Sequence, residues 1–266
     1  MKKPIRALSL GWGVQSWALA AMAALGEIEP IDVAVHADTT HEASGTYAHA
    51  RKWTPWLEEH GVKVATVYPK NGQVIENGKS VMIPAYTTDN EGHRGQIRRQ
   101  CTNHWKIQPV RRYVRSLLTG RPPPGDVHLI MGISLDEALR MKDSNVAYVL
   151  HKYPLVEQRI SRTDCIDWLK QNNLDVPPKS SCVFCPYRSR VTWGDIKRSG
   201  GYDWEHALET DIAIRDIKPK DNEGKMFLHP FRKPLEEAVS IPEDIGAKQL
   251  MLGDEDPTCD SGFCFT

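Results

Sequence analysis

The chain has 266 residues, with 34 Lys and Arg against 34 Asp and Glu, enough for one large domain or a core with an appended subdomain. Zero net charge gives no push toward nucleic acid or an anionic membrane surface. The apolar part of the opening "MKKPIRALSL" is too short and interrupted for a signal peptide, and no run approaches a membrane span, so the expectation is a soluble, cytoplasmic protein.

In chain order, "IRALSL", "IDVAVHA", "VKVATVY" and "VHLIMGI" are short apolar runs suited to buried parallel strands. Between the first two lies "QSWALAAMAALGEIEP", helical in composition and stopped by Gly26 and Pro30; between the next two, "SGTYAHARKWTPWLEEHG" is a second helix ending at Gly61. "WKIQPVRRYVRSLLTG" predicts another helix, with "RPPPGD" as a rigid connector. Alternating strand and helix predicts an α/β fold, a Rossmann-like doubly wound parallel sheet. After "YPLVEQRI" the texture changes to a helix capped by Ser161 or Thr163, a cysteine-bearing loop, mostly helical segments and an irregular tail. The expected division is residues 1–157 as an α/β domain and 158–266 as a mainly helical C-terminal region.

"SLGWGVQS", residues 9–16, joins the first strand to the first helix. Gly11 and Gly13 permit a tight turn, Ser9 and Ser16 add hydroxyls, and the helix start points N–H groups at an anion. The loop reads either as a phosphate cradle or as a plain strand–helix turn; neither GxxxxGK[ST] nor GxGxxG is present. Six cations, at 98, 99, 106, 111, 112 and 115, are interleaved with Trp105 and Tyr113. They form a solvated helix face or an anion-binding surface. In "MGISLDEALRM", Glu137 and Arg140 are three apart on one helical face and can pair.

Six cysteines without an export signal point to metal ligation or redox chemistry rather than a disulfide framework. "SSCVFCPYRSRVTW" carries CxxC, a spacing that serves zinc, an iron–sulfur cluster or a redox pair. Cys101 and the tail "CDSGFCFT" offer further thiolates, and Cys165 on an amphipathic helix reads as a small core residue.

"SLGWGVQS" resembles the SxGxxxS loop of the adenine nucleotide alpha-hydrolase, or PP-loop, superfamily, whose usual form is SGGKDS; here Val14 and Gln15 replace the lysine and the aspartate. "HADTTHEASGTY", "CTNHWKIQP", "MGISLDEALR" and the pattern Cys-Thr, CxxCP, Gly-x-Cys are similar to segments of the bacterial and phage PAPS reductase-like branch. The resemblance implies an adenine nucleotide site, for ATP or PAPS, built from Ser9, Gly11, Gly13, Gln15 and Ser16, with Asp38 near the ribose or a magnesium ion. It adds Lys106 for phosphate contact, and Glu137 and Arg140 after the fourth strand. It implies a 4Fe-4S cluster on Cys101, Cys182, Cys185 and Cys264, with zinc as the alternative metal and Cys259 as the alternative fourth ligand. No catalytic residue is assigned. The implied activity is PAPS reduction or ATP-dependent sulfur transfer; a non-catalytic nucleotide-binding module and a zinc-stabilised nucleic-acid-modifying protein stay open. The implied partners are a sulfur donor protein or reductant, a nucleic-acid acceptor, and a second copy of the chain. "FLHPFRKPL" resembles the family's C-terminal piece, leaving His229 and Arg232 either at the site or in a surface turn.

Overall fold

The computed structural model describes residues 3–218 and 224–240. In chain order they form β1 (Ile5–Ser9), α1 (Val14–Ala24), β2 (Val33–Ala37), α2 (Ser44–Glu59), β3 (Val64–Val67), β4 (Ile75–Glu76), β5 (Ser80–Val81), β6 (Ala85–Thr88) and β7 (Arg94–Ile97). A π-helical segment, Thr102–Ile107, leads into α3 (Gln108–Ser116); then come β8 (Val127–Ile130), a short 3-10 helix (Leu135–Arg140), β9 (Val149–Lys152), α4 (Pro154–Glu157) and α5 (Arg162–Gln171). The remaining elements are α6 (Arg190–Ser199), α7 (Gly201–Ile214), β10 (Lys225–Phe227) and α8 (Leu235–Ser240). These residues group into two units: 3–70 with 104–181, and 71–103 with 182–218 and 224–240.

In the first unit a five-stranded sheet runs in the order β3-β2-β1-β8-β9, every neighbouring pair parallel. Successive strand residues point to opposite faces. Leu8, Ala34 and Ile130 therefore join Trp17, Leu19 and Leu169 in one core, while Ala7, Val33, Val35 and Leu129 join Val110 and Val114 of α3 in the other. Both faces of the sheet are covered by helices, the doubly wound α/β arrangement that the alternation predicts. α1 is buried along most of its length, Trp17 through Met22, because it sits within its core rather than on the surface.

The expected division near residue 157 falls inside this unit. α5 opens on a capping box, with the Ser161 hydroxyl accepting the Asp164 N–H and the Asp164 carboxylate accepting the Ser161 N–H. It then buries Cys165 and Leu169 in the same core as Trp17. Burial pushes the Cys165 thiol up to about 12, as suits a core residue rather than a nucleophile.

The second unit joins the helices α6, α7 and α8 to strands from residues 71–103. An antiparallel sheet runs in the order β10-β6-β7, and β4 pairs with β5. Gly95 in β7 leaves room for Thr87, whose Oγ1 a Cβ there would meet at 2.7 Å. Buried Asp211 on α7 ties the helices to the chain after β10: it accepts the N–H groups of Leu228 and Leu235 and pairs with Arg215.

Candidate functional site

The strand order of the first unit reverses at β1: the chain proceeds through β2 and β3 on one side and through β8 and β9 on the other. Open parallel sheets bind ligands beyond the carboxyl ends of the strands at such a switch point. Here that crevice lies past β1 and β8, and Ser9 is the last residue of β1. Gly13 is the N-cap of α1 and gives it no side-chain cap, so the first-turn N–H groups keep their capacity for an anion.

Ser16 holds the turn together. Its hydroxyl accepts the Gly11 N–H at 3.2 Å and donates to the Gly13 carbonyl at 3.2 Å, which commits its one proton within the loop. Trp12 adopts φ 55°, a left-handed conformation that is costly for a bulky residue. Its buried ring, packed beside Trp17, His36 and His49, holds it there. Across the crevice, a Cβ on Gly132 would come within 2.8 Å of the Ser16 backbone nitrogen, so only glycine lets the end of β8 approach the start of α1. The sequence reading did not single out Gly132; its position directly after an apolar strand was the available signal.

Gln15 reaches over the chain that follows β8. Its Nε2 donates to Ser134 Oγ at 3.3 Å and to Glu137 Oε2 at 3.1 Å. Glu137 also accepts from Arg140 at 2.7 Å. The segment is a 3-10 helix, in which residues three apart align, so the expected pairing is strengthened by the tighter coil. Burial holds the Glu137 carboxyl above its usual range, with Arg140 pulling the other way.

The chain after β2 supplies a second polar cluster. Asp38 Oδ1 accepts the Thr40 N–H at 2.7 Å and the Tyr47 hydroxyl at 2.8 Å. Buried Thr39 donates to Glu42 Oε1 at 3.1 Å, and the same oxygen stands 3.7 Å from Lys106 Nζ. Lys106, expected to neutralise phosphate, is therefore partnered by a buried carboxylate.

A further contributor went unread in the sequence: the segment Asp175–Ser181. Trp17 Nε1 donates to the Asp175 carbonyl, and the Asp175 carboxylate pairs with Lys52 and accepts from Trp53 Nε1 at 3.2 Å. The Ser181 carbonyl accepts the Ala43 N–H at 3.1 Å, and Ser180 Oγ would meet a Cβ on Gly13 at 3.2 Å. This stretch lies beside both the β1–α1 turn and the start of α2.

In the second unit, Cys182 and Cys185 form a tight turn in which the Cys185 N–H donates to the Cys182 carbonyl at 3.0 Å. Arg188 also donates to that carbonyl, at 2.8 Å. Burial raises the Tyr187 hydroxyl pKa; Cys185 and Cys101 add to the rise, and Arg99, over the ring at 4.6 Å, opposes it. Cys101, Cys182 and Cys185 are half-buried. Among the described residues no group of three or more His, Cys, Asp or Glu side chains is arranged to hold a metal ion. Cys259 and Cys264 lie outside the described residues.

No protein-family model matches the chain, and no curated protein matches it in sequence. Among solved structures, phosphoadenylyl-sulfate (PAPS) reductase from Candida auris, in a phosphate complex, is similar at TM-score 0.42 and 13% identity, over 65% of this chain and 75% of that one. The U34-tRNA thiolase NcsA from Methanococcus maripaludis, with its 4Fe-4S cluster, is similar at TM-score 0.45 and 14% identity, over 82% of this chain and 74% of that one. Neither overlap is close enough to transfer a residue role or a reaction. No helix among the described residues is long and apolar enough to cross a membrane.

Proposed function

We propose that the chain binds an adenine nucleotide at the crevice past β1 and β8 and uses it in sulfur chemistry, reducing the sulfonate of PAPS or activating an acceptor with ATP. The observation that carries the nucleotide site is the β1–α1 turn: it is closed by Ser16, opposed by Gly132, and followed by a helix start without a side-chain cap. The sulfur assignment is supported by the ordered resemblance of five sequence segments to the PAPS reductase-like branch.

In this site the Gly13 backbone, with the start of α1, receives the phosphates, and Ser9, Gly11 and Ser16 shape the turn. Gln15 is held by Ser134 and Glu137, which keeps the rim of the crevice in place. Asp38 has its Oδ1 already engaged and offers Oδ2 to a ribose hydroxyl or a magnesium ion. An incoming phosphate competes with Glu42 for Lys106, and Thr39 remains as a partner for Glu42. Arg140 stays paired with Glu137 as part of the wall. Charge building on the phosphate oxygens as a bond breaks is stabilised by donors already aimed there.

Cys101, Cys182, Cys185 and Cys264 would hold the cluster or zinc, and no step is routed through it. Iron, acid-labile sulfide and zinc assays on an anaerobic preparation test whether Cys101, Cys182, Cys185 and Cys264 hold a cluster or zinc.

Turnover decides between the versions. The protein is incubated with PAPS and a dithiol, reading sulfite and adenosine 3′,5′-bisphosphate, and separately with ATP and total tRNA as the nucleic-acid acceptor, reading pyrophosphate. Sulfite supports the reductase and pyrophosphate the transferase. Binding without either product reduces the chain to a nucleotide-binding module, and failure to bind either nucleotide removes the proposal.

A further inference from the structure

The second unit contains a cavity of about 140 Å³ between α6, α8 and the turn after β10. α6 presents Arg190, Gly194 and Arg198 to it, positions four apart on one helical face, with Val191 at the rim. Gly194 clears space on that face: a Cβ there would stand 3.2 Å from Arg198 Nη1, so the guanidinium folds over a position without a side chain. Arg198 pairs with Asp195, but both side chains are mostly exposed, and such a pair is too weak to withhold the guanidinium from an anion. The Arg190 guanidinium is steered by the Phe231 ring, 5.2 Å away.

The last wall is His229, 1% exposed. Its Nδ1 accepts the Phe231 N–H at 3.2 Å, which places the proton of the neutral ring on Nε2. Burial, with Arg190 nearby, pushes its pKa down to about 3, so the ring is neutral in ordinary conditions. His229 lines the cavity, with Nε2–H as the donor of its neutral ring. The lining combines that donor with two guanidinium groups and, among the described residues, no carboxylate.

We propose that this cavity binds a small oxyanion of the sulfate or phosphate type, with His229 Nε2–H donating to one oxygen and Arg190 and Arg198 supplying charge. Arginine forks match the edges of a tetrahedral oxyanion. The site belongs to the second unit alone and does not rest on the nucleotide proposal. Water filling a polar cavity is the competing occupant.

The test is calorimetric titration of the full chain with sodium sulfate, sodium phosphate and AMP, whose arms separate a free oxyanion from a phosphate monoester. Val191, 61% exposed, accepts a charge without disturbing the core. Val191→Glu, which sets a carboxylate at the rim, is expected to weaken oxyanion binding about tenfold, and Val191→Lys to tighten it, a pair of opposite effects that loss of fold would not produce. Arg198→Ala weakens binding in the same direction as Val191→Glu. No heat from any probe up to about 20 mM overturns the proposal, leaving water as the occupant. Binding that none of the three variants alters belongs elsewhere in the chain and overturns it too.

Discussion

Lys106 and Glu42 show how a site can look positive in sequence and be balanced in structure. Nothing in the spacing of two residues so far apart announces that Lys106 Nζ stands 3.7 Å from a buried glutamate oxygen. The competition between that carboxylate and a nucleotide phosphate gives paired expectations. Lys106→Met weakens nucleotide binding about tenfold, while Glu42→Gln, which removes the competitor, tightens it severalfold. Equilibrium titration with ATP and PAPS reads both, and equal weakening in the two variants would show that Glu42 supports the site instead. Glu137 and Arg140 were legible for the opposite reason: their spacing is local, and a helical turn brings them together. Gln15 was visible only as a departure from the usual loop; its bonds to Ser134 and Glu137 come from a distant strand end.

At the scale of elements, β1, β2, β3 and β8 of the parallel sheet were legible as short apolar runs, as burial on both faces demands, whereas the edge strand β9, "VLHK", is half polar and was not. The antiparallel strands β6 and β7 were not legible either, since "AYTT" and "RGQI" are short and lack an apolar run, and the five-residue loop with Gly92 that joins them was not read as a hairpin turn. What positions the crevice is the close approach of β8 to α1. Gly132→Ala must displace the Ser16 backbone nitrogen, and we expect a cost of about 1–3 kcal/mol together with loss of nucleotide binding. Gly13→Ala meets only the Ser180 hydroxyl, at 3.2 Å, and a side-chain rotation relieves it. Chemical denaturation of the two variants tests the ranking; equal destabilisation would mean that the turn itself, rather than its contact with β8, sets the geometry.

For the whole molecule, chain order and spatial grouping differ. The change of texture at residue 157 is real in composition, but α5 returns to the first core, and residues 71–103 join the C-terminal segments in the second unit. Pattern along a chain cannot show such an exchange, because it reports local burial and not which core a helix fills. Buried histidines then link the fold to pH. His49 packs against Trp12, Trp17 and Trp53, and burial pushes its pKa down to about 4 from an ordinary 6.5. The fold favours the neutral ring, so its contribution is complete above pH 6.5 and is lost as pH falls toward 4. That amounts to about 3 kcal/mol. His49→Phe is expected to flatten the acid limb of the stability profile, leaving the part due to His229, which lies lower at about 3. An unchanged acid limb would assign the loss to other groups.

The first measurement is calorimetric titration of ATP and of PAPS into the wild-type chain and into Gly132→Ala, with circular dichroism to confirm that both are folded. A nucleotide site past β1 and β8 predicts one nucleotide bound per wild-type chain and a loss of affinity of at least about tenfold in the variant. Absence of binding in the wild type, or equal binding by a folded variant, would contradict it.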